Sequence, residues 1–247
     1  MDGQGATPQR PDYGLDAPSV VAASGAVAAV GAACVARGVA VRNAPLAWAG
    51  ALPLALGGFT AAAMAASSFS GKIRLRDRLL DGLGLRGDES VLDLGCGSGL
   101  MLLGALGRLP EGRGTGIDVW RTQDQWGSNR ASCLRNARAL GVTDRLTLVD
   151  GDMAELPFPD RSFDLVTASL AIHNLPEAER RARVIREAAR VLRPSGRLLI
   201  VDIARTEEYE AEARRAGLVD VRRSGRSALV YPPVRVVTAR APEAETG

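Results

Sequence analysis

The stretch that decides the fold is Val91–Leu100, with the sequence VLDLGCGSGL. Its first residues form a short apolar run around Asp93, which is typical of a buried strand. Three glycines follow at alternate positions: Gly95, Gly97 and Gly99. Glycine is needed where the backbone turns sharply, and where it approaches a ligand with no side chain in between. The stretch therefore predicts a strand, a ligand-binding loop and a helix that begins near Leu100.

From Leu75 onward, short strand-like runs alternate with helical patterns. The predicted strands are Ser90–Leu94, Gly114–Asp118, Leu146–Asp150, Phe163–Ser169, Gly196–Ile203, Val219–Arg223 and Val234–Ala239. The predicted helices are Leu100–Arg108, Gln125–Leu140, Glu177–Leu192 and Glu207–Ala216. This alternation is typical of an α/β fold, a doubly wound sheet that is mostly parallel and covered by helices on both faces. We assign this domain to residues 71–247.

The N-terminal part of the chain has a different character. Residues 1–18 are polar and rich in Gly, Pro and Asp, which predicts a disordered tail. Two runs without any charged residue follow, Ser19–Ala36 and Asn43–Gly71. Each approaches or exceeds the roughly 20 helical residues that cross a hydrocarbon core. Residues 19–70 are therefore predicted to form a two-helix hairpin in a membrane, packed through its many small residues.

Basic residues indicate how this hairpin is oriented. Four of them follow the second run: Lys72, Arg74, Arg76 and Arg78. The turn between the runs carries only Arg37 and Arg42, so the larger domain is expected in the cytoplasm, at the inner membrane of a bacterium. Two alternatives remain open at this point. The runs could be buried helices of a soluble protein, or a signal peptide, although Asp12 and Asp16 stand where a basic segment belongs.

Composition narrows the classes of partner. The net charge is +3, and the arginines are spread along the chain, which gives no indication of nucleic-acid binding. The three cysteines, Cys34, Cys96 and Cys133, have no paired or metal-binding spacing, which indicates a reducing compartment. His173 is the single histidine, so a multi-histidine metal site within one chain is excluded and no metal is expected.

Two acidic residues after later strands extend the ligand site. Asp118 ends the second strand, where a carboxylate can accept two hydrogen bonds from a ribose diol. Asp152 and Met153 follow the third strand, where they can read an adenine amino group and pack on its ring. Dinucleotide sites share such features, but their GxGxxG loop needs a glycine at position 100, where Leu100 stands.

Four segments in order, VLDLGCGSG, GIDVW, GDMAELPFPDRSFDLV and RVLRPSGRLLIVD, resemble the class I methyltransferases of the type-11 group. The resemblance covers residues 75–237 and implies a seven-stranded, Rossmann-like sheet with an antiparallel last strand. It also implies S-adenosyl-L-methionine (SAM) as the cofactor. The implied SAM ligands are Asp93, Gly95, Gly97 and Gly99 at the methionine end, Asp118 at the ribose, and Asp152 with Met153 at the adenine. Cys96, Val119 and Ser169 are also expected among the cofactor-binding residues, with Cys96 as a small apolar filler of the loop.

The sequence indicates the residues around the methyl acceptor less specifically than those around the cofactor. His173 lies just past the fourth strand, and with an ordinary pKa of about 6.5 it can accept a proton from a hydroxyl acceptor. It could equally pack against the adenosine or cap a helix. Methyltransferases that act on exocyclic amines of nucleobases or on glutamine amides carry an Asn/Asp-Pro-Pro-aromatic run at this place. This chain has Leu170–His173 there instead, which disfavours that class of substrate. Residues 120–130 (WRTQDQWGSNR) could form a lid with Trp120 against adenine, or an ordinary surface loop.

The pattern as a whole predicts a methyltransferase domain tethered to a membrane and acting on a small or lipid-like acceptor. Two other functions fit parts of it. A membrane-anchored protein that binds SAM without catalysis would carry the same cofactor motif, and a nucleotide-dependent oxidoreductase would share the glycine loop but not Leu100.

Overall fold

The computed structural model describes residues 10–120 and 129–244. A seven-stranded sheet forms its centre, with the order β3-β2-β1-β4-β5-β7-β6. The strands are β1 (Ser90–Leu94), β2 (Arg113–Asp118), β3 (Leu146–Asp150), β4 (Phe163–Ser169), β5 (Leu192–Asp202), β6 (Val219–Arg223) and β7 (Arg235–Arg240). All neighbours are parallel except β7, which runs antiparallel to both β5 and β6. The predicted fold class is confirmed.

The strand register brings the ends of the central strands together. Asp93 in β1 is level with Gly116 in β2 and with Thr167 in β4. Since β1, β2 and β4 are parallel, their carboxyl ends open onto one edge of the sheet, where ligands bind in open α/β folds. The chain reverses its winding direction at β1, because β2 lies on one side of it and β4 on the other.

Helices cover both faces of the sheet. These helices are α3 (Lys72–Asp81), α4 (Leu100–Leu106), α5 (Arg130–Leu140), α6 (Ala178–Val191) and α7 (Thr206–Arg215). The first three pack with one apolar cluster, and α6 and α7 pack with the other. The predicted helices agree with α4, α6 and α7 to within two residues. Helix α5 begins at Arg130 because the side chain of Asn129 caps its N-terminus, and residues 121–128 of the predicted helix lie outside the described residues.

One predicted strand starts earlier than its sequence suggests. The structure begins β5 at Leu192, whereas the pattern predicts a start at Gly196. Leu192 pairs with Phe163, and a bulge then shifts the register before Leu165 pairs with Arg197. The Pro-Ser-Gly segment inside this bulge is typical of a turn, and the sheet overrides that local preference.

The N-terminal hairpin consists of α1 (Pro18–Ala40) and α2 (Ala44–Ala66). The two helices pack against each other along a line of small residues, which we call the seam. The buried residues of the two helices are Gly31, Gly38, Gly50, Gly57 and Met64. A Cβ on Gly50 would lie 2.7 Å from the Cβ of Cys34, and one on Gly57 would lie 2.5 Å from the carbonyl oxygen of Ser24. The two backbones are therefore close enough that only glycine fits between them.

The outer faces of this hairpin are apolar and uncovered. Val30, Trp48 and Leu52 each expose more than 60% of their surface. Both helices are long and apolar enough to cross a membrane, the second counted together with the helical segment that continues to Asp81. This continuation passes through one π-helical turn, Ser67–Gly71, before α3 begins.

Residues 10–17, predicted from composition to belong to a disordered tail, follow a defined path across the carboxyl edge of the sheet. We call them the strap. The buried ammonium group of Lys72 donates hydrogen bonds of 2.9 Å to the carbonyl oxygens of Tyr13 and Gly14, and it pairs with Asp16 at 2.9 Å. The side-chain amide of Asn136 in α5 accepts a hydrogen bond from the backbone N–H of Asp12 and donates one to the carbonyl oxygen of Asp12. Lys72 and Asn136 thus hold the strap through contacts that the composition of the tail does not indicate.

Candidate active site

The glycine loop between β1 and α4 is held against the neighbouring strand. The backbone N–H of Gly95 donates to the carbonyl oxygen of Ile117 at 2.9 Å. Gly95, Gly97 and Gly99 have φ values of 66°, 49° and 88°, a region that favours glycine. A Cβ on Gly95 would lie 2.6 Å from that of Ala171. The loop therefore has a backbone conformation and a close packing that both require glycine.

Asp93 lies below this loop and is buried. Its carboxylate accepts hydrogen bonds from the Thr167 hydroxyl at 2.6 Å and from the Leu102 N–H at 3.2 Å. Burial raises the pKa of the Asp93 carboxyl to about 7. A cationic group in the cavity would favour its ionised form. The side chain is therefore suited to an ammonium group such as that of the methionine end of SAM.

Asp118 connects the glycine loop to the chain after β2. One carboxylate oxygen accepts the N–H of Gly97 at 2.9 Å, and the other accepts the N–H of Trp120 at 2.7 Å. Each oxygen retains a further lone pair, so both can still accept a ribose hydroxyl. Val119, the next residue, is half exposed at the rim of the same cavity.

Asp152 and Met153 lie on the cavity wall after β3, as predicted. One oxygen of Asp152 accepts the N–H of Ala154 at 2.9 Å, and the other is paired with Arg180 of α6. An adenine amino group would therefore share a carboxylate that Arg180 already neutralises. Ser169, at the carboxyl end of β4, lines the cavity on the opposite side of the β1 loop.

Cys96 lies in the loop and Cys133 in α5, and both are buried. The hydrogen bond to Cys133, together with burial, raises the pKa of the Cys96 thiol well above its ordinary value. A protonated thiol is a poor nucleophile. Cys96 therefore contributes packing and cavity wall to the predicted cofactor site.

Trp120 is the one part of the predicted lid that the structure describes beside Asn129 and Arg130; residues 121–128 lie outside the described residues. The Trp120 indole lines the cavity, and its N–H donates to Asp150 at 2.7 Å. Asp150 also accepts Arg130 at 2.7 Å. Trp120 is thus fixed at the rim by the ends of β2 and β3.

His173 is placed beside a buried carboxylate that the sequence interpretation missed. Its Nδ1 lies 2.6 Å from Oδ1 of Asp202, which is within ion-pair distance. The contact does not have the geometry of a hydrogen bond. Asp202 also accepts the backbone N–H of His173 at 3.1 Å and the Tyr209 hydroxyl at 3.2 Å. Burial and the charge of Asp202 raise the pKa of Tyr209, which keeps this hydroxyl protonated. Nδ1 faces Asp202, which leaves Nε2 for the cavity.

The sequence does contain a signal for Asp202. It ends β5 in the segment LLIVD, next to β4, and the carboxyl ends of adjacent parallel strands meet at one edge. For Arg180, Tyr13 and Lys72 no comparable signal exists, because each reaches the cavity from a separate helix or from the strap. All of the predicted site residues except Gly99 line a single cavity of about 240 Å³. Gly99 instead lies at the N-cap of α4, where a Cβ would lie 2.9 Å from the Cys133 sulfur.

The sheet order, the antiparallel β7 and the acidic residues that end β1 and β2 define a class I methyltransferase domain. A protein-family model described as a methyltransferase domain matches residues 92–200, and the homologues and structural neighbours of this part of the chain include class I SAM-dependent methyltransferases. SAM is the cofactor of that family. The glycine cradle, the buried carboxylate of Asp93 and the free lone pairs of Asp118 fit it.

Curated relatives include 27-O-demethylrifamycin SV methyltransferase of Amycolatopsis mediterranei, which is 38% identical over 145 residues, 58% of this chain and 50% of the relative. The ubiquinone/menaquinone biosynthesis C-methyltransferase UbiE of Roseobacter denitrificans is 32% identical over 129 residues, 52% of this chain and 48% of the relative. The chain spans about half the length of the curated relatives it matches.

Solved structures share the fold. A SAM-dependent methyltransferase from Aquifex aeolicus has a TM-score of 0.52 at 21% identity, covering 67% of this chain and 88% of that chain. The [4+2]-cyclase SpnF has a TM-score of 0.55 at 24% identity, covering 68% and 82%. Since a cyclase has the same fold, the fold alone does not fix the reaction, and the site residues must carry that argument.

We expect Gly95→Ala to weaken SAM binding by about tenfold or more, because a side chain at φ 66° is strained by roughly 1–2 kcal/mol and also meets Ala171. Calorimetric titration with S-adenosylhomocysteine measures the change. Gly84→Ala is the matched control, since Gly84 has φ 59° but no neighbour within 4 Å of an added Cβ. If Gly95→Ala binds S-adenosylhomocysteine as tightly as Gly84→Ala and the natural chain do, the cofactor loop tolerates the methyl group.

Proposed function

We propose that this protein transfers the methyl group of SAM to a hydroxyl group of a small, lipid-like acceptor at a membrane surface. The observation that carries the proposal is the His173–Asp202 pair, which lies on the wall of the cavity that also contains the cofactor residues. A cofactor-binding domain without catalysis has no need of an oriented histidine at this position.

The residues of the cofactor half have separate roles. Asp93 and the backbone of Gly95–Gly97 would hold the ammonium and carboxylate of the methionine end, Asp118 the ribose, and Asp152 with Met153 the adenine. When bound, SAM supplies a methyl group that is already activated by its sulfonium sulfur. The protein therefore contributes mainly alignment and exclusion of water.

His173 supplies the proton acceptor that a hydroxyl nucleophile requires. With Nδ1 facing Asp202 at 2.6 Å, Nε2 is the ring nitrogen that would accept the acceptor's proton. The buried Asp202 carboxylate then stabilises the imidazolium that forms. Tyr209 and the backbone N–H groups of His173 and Ile203 also donate hydrogen bonds to Asp202, so this carboxylate is held in a fixed position beside the ring.

The acceptor half of the cavity is largely apolar. Met64, Val230 and Ile203 line it together with the polar groups of His173 and Asn174. Such walls suit an acceptor with an apolar body and one nucleophilic group. The related proteins that act on a rifamycin and on quinone precursors support acceptors of this class.

Membrane attachment is supported by the hairpin. Its outward side chains expose a continuous apolar surface that a water-soluble monomer rarely leaves uncovered. Its seam is made of glycines, as in helix pairs that pack inside lipid. Arg74 and Arg78 point outward just after the hairpin, where cytoplasmic cations are expected.

The decisive experiment uses the full chain in detergent with methyl-labelled SAM and a total lipid extract. We expect label in the organic phase. Label confined to water-soluble products would count against a lipid-like acceptor, and binding of SAM without any turnover would favour a non-catalytic SAM-binding protein.

His173→Gln tests the chemistry in the same assay. Turnover should fall by about 10²–10⁴-fold, because a positioned general base contributes that much, while the affinity for SAM stays the same. Asp202→Asn should lower turnover less, since it leaves His173 in place and removes the group that orients the ring. Unchanged turnover in His173→Gln would assign His173 a packing role.

A further inference from the structure

The cavity continues past His173 to the base of the helical hairpin. There its wall is formed by Met64 near the end of α2, by Ala17 before α1, and by Val230–Pro232 in the β6–β7 connection. Met64 and Val230 are buried, whereas Pro232 is exposed. The cavity therefore extends from the carboxyl edge of the sheet to the surface where the hairpin joins the domain.

This end of the cavity is built by the hairpin and the β6–β7 connection together. The hydroxyl oxygen of Ser67, in the π-helical turn, accepts the N–H of Tyr231 at 2.9 Å. The ring of Phe59 meets that of Tyr231 edge to face, with centroids 6.1 Å apart. A Cβ on Gly71 would overlap the carbonyl oxygen of Leu229. We call this end of the cavity, between Met64 and Tyr231, the opening. Its wall is held by direct contacts between the hairpin and the β6–β7 connection.

The opening lies at the level where a bilayer surface would be. Helix α1 begins and α2 ends at this base, while the turn between them lies about 34 Å away by helical rise. Phe59 and Phe69 flank the base and expose 64% and 67% of their surface. With the hairpin in a bilayer, the opening faces the boundary between head groups and acyl chains.

The charges of the cavity indicate what kind of head group fits. Two basic side chains, Lys72 and Arg180, line the described part of the cavity. Lys72 is paired with Asp16 and Arg180 with Asp152, so each is already neutralised. A phosphate would require a cation that is not already engaged. The acceptor half is therefore suited to a neutral head group.

We infer that this opening admits the tail of a neutral amphiphile from the cytoplasmic leaflet. A head group such as an alcohol or a hydroquinone lies at His173, and its linear apolar tail leaves between Met64 and Tyr231 into the lipid. The inference rests on the proposed function and adds to it the route and the class of acceptor. Met64 then becomes a residue that determines specificity for tailed acceptors.

The experiment uses the full chain in phosphatidylcholine nanodiscs, with a hydroquinone that carries a diazirine in its alkyl tail. After irradiation, peptide mass spectrometry should locate adducts on Met64 and on Val230–Pro232, and unlabelled tailed hydroquinone should compete with them. Adducts confined to the outer face of α2, at Leu52 and Leu56, or an absence of adducts, would overturn the inference.

Substitutions sharpen this test. Met64→Trp should abolish the adducts on Val230–Pro232 by filling the opening, whereas Met64→Ala should keep them. Leu56→Trp is the matched control, since Leu56 lies on the same helix, is 58% exposed and is not part of the cavity wall. Adducts without methyl transfer would support the opening and reject the proposed function. Transfer to a tailed acceptor that Met64→Trp leaves unchanged would reject the opening alone.

Discussion

SAM should bind about tenfold more tightly at about pH 8 than at about pH 6, because the pKa of Asp93 is raised to about 7 by burial. Below this pKa the carboxyl is protonated and cannot pair with an ammonium group. Above it the carboxylate is ionised, and the bound ammonium keeps it so. Calorimetric titration across this range gives the dependence, and a flat profile would show that Asp93 does not face the ammonium.

Asp93→Asn should remove this dependence and weaken SAM binding at pH 8 by about 10–100-fold, the contribution of a charge-assisted hydrogen bond. The amide fits the position, since its oxygen can accept the Leu102 N–H, while its NH₂ donates to Thr167, whose hydroxyl is 3.4 Å from the carbonyl oxygen of Leu92. The loss should therefore reflect charge and not misfolding.

The same substitution should raise the free energy of unfolding without cofactor. A carboxyl whose pKa is 3.8 unfolded and about 7 folded destabilises the fold as pH rises through that interval. At pH 8 the full penalty is present, about 4 kcal/mol, and Asn does not carry it. Denaturant titration at pH 8 should show a more stable variant. A less stable one would indicate that the hydrogen bonds of Asp93 outweigh its burial.

Gly50→Leu should separate the two helices of the hairpin, and this is the largest effect on stability expected outside the cofactor site. The first side-chain atom alone would lie 2.7 Å from Cys34 Cβ and 2.8 Å from Val35 N. Forcing such contacts costs about 1–3 kcal/mol or more, and here part of the obstacle is backbone. Circular dichroism during titration with dodecyl sulfate should show unfolding of the hairpin at a lower detergent fraction.

The chain offers a matched control for this variant. Gly58 lies on the same helix, and no atom is within 4 Å of a Cβ built there. Gly58→Leu adds the same apolar side chain to the outer face and should leave the transition in place. If both variants unfold alike, the glycines of the seam do not hold the helices together.

Most of the fold could be predicted, because the determining signals are local in sequence. The glycine loop, the acidic strand ends and the alternation of strands and helices are all visible without a partner. The start of β5 was not, since Leu192 joins the sheet through its pairing with Phe163 across a bulge. A turn-like Pro-Ser-Gly segment gives no indication of that partner.

The candidate site divides in the same way. The cofactor half depends on residues that stand in motifs, and the structure brings Asp93, Asp118 and Asp152 to one cavity. The other half depends on distant pairings. Asp202 is recognised as the partner of His173 only once β5 lies beside β4, and Lys72 holds the strap across a separation of more than 50 residues. Composition alone predicts that the residues of the strap belong to a disordered tail.

The strap and the π-helical turn also decide how the domain can move. The hairpin is fastened where it begins, by Asp16 to Lys72, and again where it ends, by Ser67 to Tyr231. A single anchor on a flexible linker would let a domain sample a hemisphere of cytosol. If the hairpin spans a bilayer as proposed, two fixed points would leave the domain no such reach, and the reaction would become two-dimensional, with a rate that follows the mole fraction of acceptor in the bilayer and not its concentration in the surrounding volume.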